Sequence, residues 1–263
     1  MSKWILLFIT CFPTFAGISV AQTNSWIEVR SQHFVVVSNG TEEESRNAAL
    51  QFERMRAVFQ KLFPDTNLDT ATPALVLAIA DRATMERLEP TAYIGLTQSY
   101  LAGLFLRWPE RDYILVWLNA PGLHPYSPIY HEYTHFVLHR SGQWMPVWLD
   151  EGLAEYFKTT EIADDEIRIG KADARTVTFL EQNRLLPLAT LFAVDQHSPY
   201  YHEDGKTSIF YSESWALTHY LKIKDSRDGN NHLADYLGYV QNGSDPVTAA
   251  TKAFGGSRSY RNT

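Results

Sequence analysis

The spacing of hydrophobic and polar residues divides the chain into a mixed first half and a mainly helical second half. Segments around His33–Val37 and 74–80 are rich in Val, Leu and Ile and predict strands. Thr41 followed by three glutamates predicts the start of a helix that runs to about Leu62, because acidic residues are favoured in a first helical turn. Residues 101–107 and 113–118 predict a hairpin.

After Asn119 the hydrophobic period becomes that of helices. The predicted helices cover residues 128–140, 146–158, 174–183, 208–223 and 231–241. We therefore predict an α+β fold with a sheet-containing N-terminal lobe, residues 22–120, packed on a mainly helical C-terminal lobe, residues 121–263. The helix at 128–140 is expected to lie between the two lobes.

The first 21 residues have the pattern of a secretory signal peptide. Lys3 precedes the uncharged and largely apolar stretch 4–20, and Ala21 ends a run of small residues suited to cleavage. An N-terminal membrane anchor is the competing interpretation, although the stretch is short for a span and contains Pro13. Cleavage after Ala21 would give a secreted or periplasmic protein without a membrane span.

Composition narrows the possible chemistry further. A 263-residue chain with 45% hydrophobic residues can bury a full core, and a net charge of −7 without a basic stripe argues against nucleic acid as a partner. The one cysteine, Cys11, lies within the predicted signal. The mature chain would therefore lack thiols, which excludes disulfides, zinc–thiolate sites and a cysteine nucleophile.

The segment His131-Glu132-Tyr133-Thr134-His135 has the spacing of a zinc-binding helix. Residues four apart lie on one face of a helix, so His131 and His135 can direct ring nitrogens at one ion. Glu132 is then placed to accept a proton from a water molecule at that ion. Helical signals agree with this interpretation, since Ser127 is a good N-cap and Pro128 suits the first helical position.

A catalytic zinc takes three protein ligands, so a third residue is required. His139 is unsuitable because it lies eight residues from His131, about 12 Å along a helix, and we expect a surface or packing role for it. Glu151 is the better candidate, in a second helix opened by Pro146 and joined to the first by a short turn. Antiparallel pairing of these helices would bring Glu151 back to the histidine pair.

The chain resembles the gluzincin metallopeptidases, in the peptidase MA-like branch related to thermolysin and aminopeptidase-N. The resemblance rests on 131–135, on Trp148-Leu149-Asp150-Glu151-Gly152-Leu153-Ala154-Glu155-Tyr156, and on Phe210-Tyr211-Ser212-Glu213-Ser214-Trp215-Ala216-Leu217. It implies one Zn²⁺ bound by His131, His135 and Glu151, Glu132 as general base, and a peptide or protein substrate. It also implies that Tyr211 donates a hydrogen bond to the oxyanion. Residues 102–105 lack the acidic residue with which the aminopeptidase-N relatives hold a free amine, which argues against aminopeptidase specificity. The sequence does not indicate whether cleavage is internal or terminal.

Other roles follow from the same helices. Glu155 and Asp150 are candidates to hydrogen-bond the outer nitrogens of the zinc-bound histidines, and solvated helix charges are the alternative for both. Tyr211 can also be an ordinary core aromatic beside Trp215. We expect Trp144, Trp148 and Phe136 to form an apolar wall around the ligand helices, and residues 198–205 to form a polar loop at the rim of a cleft.

Two other functional classes compete with a zinc peptidase. The first is a secreted binding module that keeps zinc without catalysis. The second is a structural protein in which the histidine pair is a coincidence. An intact Glu132 argues against both, because a structural site needs no base beside its open position. The oligomeric state is not indicated by the sequence.

Overall fold

The computed structural model describes residues 26–69, 72–88, 102–107, 111–121, 124–140, 144–163, 165–202 and 206–255. The predicted signal peptide and Cys11 lie outside the described residues, as does part of the turn of the predicted hairpin. The described strands are Ile27–Arg30 (β1), Phe34–Ser38 (β2), Ala74–Ile79 (β3), Gly103–Leu106 (β4), Tyr113–Trp117 (β5), Glu161–Ile162 (β6) and Ile167–Arg168 (β7). The described helices are Glu42–Leu62 (α1), Arg82–Leu88 (α2), Ser127–Arg140 (α3), Val147–Phe157 (α4), Ala174–Gln182 (α5), Leu188–Ala193 (α6), Pro199–His202 (α7), Lys206–Asp228 (α8), His232–Gln241 (α9) and Pro246–Phe254 (α10).

The N-terminal part is built on a mixed five-stranded sheet in the order β1-β2-β3-β5-β4. The central pairs β2–β3 and β3–β5 are parallel, whereas β1–β2 and β4–β5 are antiparallel. The predicted strands and the β4–β5 hairpin are therefore confirmed. The order leaves β4 at one edge of this sheet.

Helix α1 starts where the sequence predicts. The Thr41 hydroxyl accepts the Glu44 N–H at 3.2 Å, and the Glu44 carboxylate accepts the Thr41 N–H at 2.8 Å. This reciprocal capping satisfies two backbone donors that a helix leaves unpaired at its start. The buried face of α1 covers one face of the sheet through side chains that include Phe52, Met55 and Phe59.

Helix α3 packs on the same sheet face as α1. Tyr130, Tyr133 and Phe136 are buried in this core, and the Tyr130 hydroxyl donates to the Gln51 side chain at 2.7 Å. Because Tyr133 lies two positions from both His131 and His135, the histidines lie on the opposite side of α3. That side meets α4.

A second core holds the helical part together. It joins α4, α6, α8, α9 and α10 through side chains that include Trp148, Phe192, Phe210, Tyr236 and Phe254. Helices α4 and α8 approach closely at Gly152, where an added Cβ would lie 2.6 Å from the Ser214 carbonyl oxygen and 2.2 Å from Thr218 Oγ1. The fold is thus α+β, with an N-terminal sheet and a mostly helical C-terminal part, as predicted.

Several details differ from the sequence predictions. Pro146 is the N-cap of α4 rather than its first helical residue, and α8 extends beyond the predicted 208–223 at both ends. Within the predicted loop 198–205, Pro199–His202 forms one helical turn, and the Ser198 hydroxyl accepts the Tyr200 N–H at 3.3 Å at its start. Trp144 is 61% exposed, so the prediction that it joins Trp148 and Phe136 in an apolar wall is wrong.

No helix among the described residues is long and apolar enough to cross a membrane.

Candidate metal centre

Helices α3 and α4 bring three potential metal ligands to one point. The Nε2 atoms of His131 and His135 are 3.1 Å apart, and each lies 3.4 Å from Oε2 of Glu151. Ligand atoms bound to one tetrahedral zinc at about 2.0–2.1 Å are about 3.3 Å from one another. The triangle therefore has the dimensions of three corners of a tetrahedral site. The three residues that the spacing suggested are the ones the fold brings together.

The chemistry of these atoms also fits a cation. Glu151 is 2% exposed, and its buried Oε2 has no hydrogen-bond partner within the described part of the chain. A buried carboxylate oxygen without a partner is costly, and a bound cation removes that cost. Burial opposes ionisation of Glu151, but the charges of His135 and His131 beside it hold its pKa well below the ordinary value. Glu151 is therefore an anion at neutral pH.

Glu155 lies against the outer nitrogen of His131. Its Oε1 is 3.3 Å from His131 Nδ1, and its Oε2 accepts a hydrogen bond from Lys158. A carboxylate at this position fixes the ring and its tautomer so that Nε2 faces the ligand triangle. Burial opposes ionisation of Glu155 too, but the charges and hydrogen bonds of Lys158 and His131 together outweigh it and lower the pKa.

Asp150 occupies the equivalent place behind His135. Asp150 Oδ1 is 3.3 Å from His135 Nδ1, and its Oδ2 hydrogen-bonds His139 Nε2 at 2.8 Å. His139 is thus a half-exposed partner of Asp150, and its ring meets the edge of Phe105. Sequence reasoning placed His139 at the surface or in packing, and it did not anticipate this bond.

His135, His139 and Asp150 also lie close enough together to be considered as a second metal group. Asp150 offers a different oxygen to each ring, since its Oδ2 hydrogen-bonds His139 Nε2 at 2.8 Å and its Oδ1 lies 3.3 Å from His135 Nδ1. A second ion on Nδ1 of His135 would require an imidazole that has lost both N–H protons. Asp150 therefore suits the role of a carboxylate that orients His135 better than that of a ligand in a second metal group.

Glu132 is buried under the edge strand β4. An added Cβ on Gly103 would lie 2.4 Å from Glu132 Cγ, so only a glycine there leaves room for this side chain. The backbone N–H of Phe105 hydrogen-bonds the Glu132 carboxylate. Burial raises the pKa of Glu132, while the charges of His131 and His135 oppose the rise. A carboxyl group with a raised pKa is suited to accept and release a proton near neutral pH.

Tyr201 contacts the cluster, and sequence reasoning did not single it out. It lies on α7, and its hydroxyl donates to Oε1 of Glu151 at 2.8 Å. The ring of Tyr211, on α8, is parallel to that of Tyr201, with centroids 6.2 Å apart. The Tyr211 hydroxyl hydrogen-bonds that of Tyr201. The only sequence signal for Tyr201 was its position in a loop expected at the rim of a cleft.

The fold and the cluster define an α+β protein with a possible metal-binding group made of two histidines and a glutamate. The family described as "Protein of unknown function (DUF1570)" matches residues 126–244. This match begins one residue before α3 and ends after α9, so it includes His131, His135, Glu151, Tyr201 and Tyr211. None of the curated proteins compared with the chain matches it.

Proposed function

We propose that this protein is an exported, zinc-dependent peptidase of the gluzincin type. The single observation that carries the proposal is the triangle formed by His131 Nε2, His135 Nε2 and Glu151 Oε2, with sides of 3.1–3.4 Å. Nitrogen and oxygen ligands in this number and geometry suit zinc, and three protein ligands leave a fourth position open for water or substrate. A structural zinc site would be closed by a fourth side chain.

The residues around the triangle suit hydrolysis. Zinc at this site would supply Lewis acidity, which polarises a carbonyl and eases deprotonation of water. Glu132 accepts a proton from the attacking water and passes it to the leaving amine. The Tyr201–Tyr211 pair places phenolic donors beside Glu151, and the family resemblance assigns stabilisation of the oxyanion to Tyr211.

Strand β4 supports a peptide as the substrate. The Trp117 N–H donates to the Ala102 carbonyl at 2.8 Å, so the alternation of an antiparallel ladder directs the backbone groups of Gly103 and Phe105 away from β5. The Glu132 carboxylate accepts the Phe105 N–H at this edge of β4, which faces away from β5. An extended peptide that pairs with β4 would therefore lie beside the general base.

The alternative is a secreted zinc-binding module without catalysis. The burial of Glu132 against Gly103 argues for the peptidase, because a metal site used only for binding requires no buried acid at this place. Export itself rests on the predicted signal peptide, with cleavage after Ala21.

The test combines metal analysis with two variants. We expect the purified chain to contain one zinc per molecule and to cleave members of a quenched-fluorescence peptide library. Glu132→Gln should keep the zinc and lose cleavage by at least about 100-fold, because it removes only the base. His131→Ala should lose both.

The outcomes separate the three classes. Zinc without cleavage in the unmodified chain would favour the binding module. If the unmodified chain binds no zinc, and His131→Ala has the same metal content, the metal site is rejected. The structural protein, in which the histidine pair is a coincidence, would then be favoured.

A further inference from the structure

The two oxygens of Glu151 have different partners. Oε1 accepts the Tyr201 hydroxyl at 2.8 Å, whereas Oε2 lies 3.4 Å from both histidine Nε2 atoms. A carboxylate that binds a cation can use one oxygen or both. Here the phenol occupies one oxygen, so a single oxygen remains for the ligand triangle.

The direction of the hydrogen bonds follows from the chemistry of the groups. An ionised carboxylate only accepts, so the single proton of Tyr201 is committed to Glu151. Tyr201 must then accept the hydrogen bond that joins it to Tyr211. The chain is therefore Tyr211 to Tyr201 to Glu151. The ordinary pKa of a tyrosine phenol is about 10, so both hydroxyls carry their protons at neutral pH and can donate.

The packing of both rings holds this chain in place. The Tyr201 ring meets the edge of Phe210 and is parallel to that of Tyr211, and all three side chains belong to the helical core. Short helix α7 packs on α8 and presents Tyr201 to Glu151 on α4. Neither phenol needs to move for Tyr201 to reach the carboxylate.

We propose that Tyr201 is a positioning residue that restricts Glu151 to one metal-binding oxygen, and that Tyr211 acts on Glu151 through Tyr201. This inference rests on the proposed zinc site. Without the Tyr201 hydroxyl, Glu151 is free to turn both oxygens towards the ion and to fill the position that water or substrate requires. Tyr211 thereby acts on the ligand set before any substrate binds, and because a phenol has one proton, it has to release Tyr201 to take the oxyanion role that the resemblance implies.

The test measures metal binding and does not require a substrate. Zinc affinity is determined by competition with a chromophoric chelator, and coordination is followed by the ligand-field absorption of Co²⁺ in place of zinc. We expect Tyr201→Phe to weaken zinc binding by about 10- to 100-fold, the range for lost hydrogen bonds to metal ligands. The Co²⁺ bands should lose intensity as Glu151 supplies a second oxygen and the coordination number rises.

Tyr211→Phe tests the second hydrogen bond. It should weaken zinc binding less than Tyr201→Phe does, and the double variant should bind zinc no more weakly than Tyr201→Phe alone. Such non-additivity is the signature of residues that act through one another. Tyr211→Phe leaves the contact between Tyr201 and Glu151 in place, so it also tests the chain if Tyr201→Phe does not fold.

Tyr236→Phe is the matched control. The Tyr236 hydroxyl is buried and accepts the Trp148 indole N–H at 2.9 Å, so its loss removes a buried phenol bond away from the ligands. It should lower the melting temperature of the metal-free protein and leave the zinc affinity and the Co²⁺ bands unchanged. This comparison separates positioning from general loss of stability.

The results distinguish the two proposals. If the unmodified chain binds no zinc, the proposed function fails and this inference fails with it. If the chain binds zinc, and Tyr201→Phe has the same zinc affinity and the same Co²⁺ spectrum, the metal site stands and this inference is overturned. If the losses in zinc affinity caused by Tyr201→Phe and Tyr211→Phe add up in the double variant, the role assigned to Tyr211 is overturned.

Discussion

At the residue scale, a local sequence pattern indicates some residues of the candidate metal centre and misses others. The i, i+4 spacing of His131 and His135 is a local property of one helix, so the pattern alone predicts that they share a face. The prediction of Glu151 as the third ligand required only that a short connection join the two helices. Tyr201 lies 50 positions from Glu151, and no local pattern links the two. Gly103 likewise has a role only because the fold places it against Glu132.

The fit between Gly103 and Glu132 leads to a kinetic prediction. A Cβ at position 103 would lie 2.4 Å from Cγ and 2.6 Å from Oε1 of Glu132, so Gly103→Ala must displace the general base. We expect a loss in kcat of about 10- to 100-fold, a part of what general-base catalysis contributes. Zinc content should stay at the level of the unmodified chain, because the ligands lie on α3 and α4. Steady-state kinetics and metal analysis measure the two effects.

Gly238→Ala is the control for Gly103→Ala, since a Cβ at position 238 in α9 meets no atom within 4 Å. Its kinetics should be those of the unmodified chain. Full activity in Gly103→Ala would show that Glu132 can shift without cost, and would argue against Glu132 as the base.

At the element scale, helices with a clear start signal or a sustained apolar face were predictable, and the shortest helices were not. Helices α1, α3 and α9 carry a capping signal or a sustained apolar face, and their bounds agree with the prediction to within one or two residues. Helices α6 and α7 have only six and four residues, and they depend on contacts with the rest of the helical core. A single turn gains too few hydrogen bonds to form without such contacts, so its sequence carries little signal.

A buried acid links two of these elements and predicts a pH dependence of stability. Glu213 on α8 is 6% exposed, and its Oε2 accepts the Leu186 N–H at 2.8 Å, just before α6. Burial raises its pKa to about 7, above the ordinary glutamate value of about 4.5. The folded state therefore favours the neutral acid, and stability falls as the pH rises from about 4.5 to about 7. The loss is at most about 3.5 kcal/mol, since the two pKa values differ by roughly 2.5 and one pKa unit corresponds to about 1.4 kcal/mol.

The variant Glu213→Gln keeps a group that can accept the Leu186 N–H and cannot ionise. We expect it to be more stable than the unmodified chain at pH 8, and to lose the fall in stability between about pH 4.5 and 7. Urea unfolding across this pH range measures both. Glu181→Gln, at an exposed position on α5, removes the same charge from the surface and should leave the pH profile as it is. A Glu213→Gln profile parallel to that of the unmodified chain would contradict the prediction.

At the scale of the whole molecule, the candidate metal centre lies where the two cores meet. Helix α3 belongs to the core built on the sheet, while α4 contributes Trp148 and Leu149 to the helical core. Leu153, one turn from Leu149 on α4, packs against both. A metal ion held by His131, His135 and Glu151 would therefore tie the two parts of the fold together. The sequence indicated the α+β division, but the meeting of the cores depends on packing that no local pattern encodes.

Removal of the metal should consequently lower the stability of the entire fold. A ligand that binds only the folded state stabilises it by about 4 kcal/mol at 1,000 times its Kd. We expect a strong chelator to lower the melting temperature of the unmodified chain by several degrees, and added zinc to restore it. His131→Ala should melt at one temperature with or without chelator, because it has no complete ligand set to lose. If the chelator leaves the melting temperature of the unmodified chain unchanged, the ion does not tie α3 to α4, and the apolar contacts of α4 with both cores hold the two parts together without it.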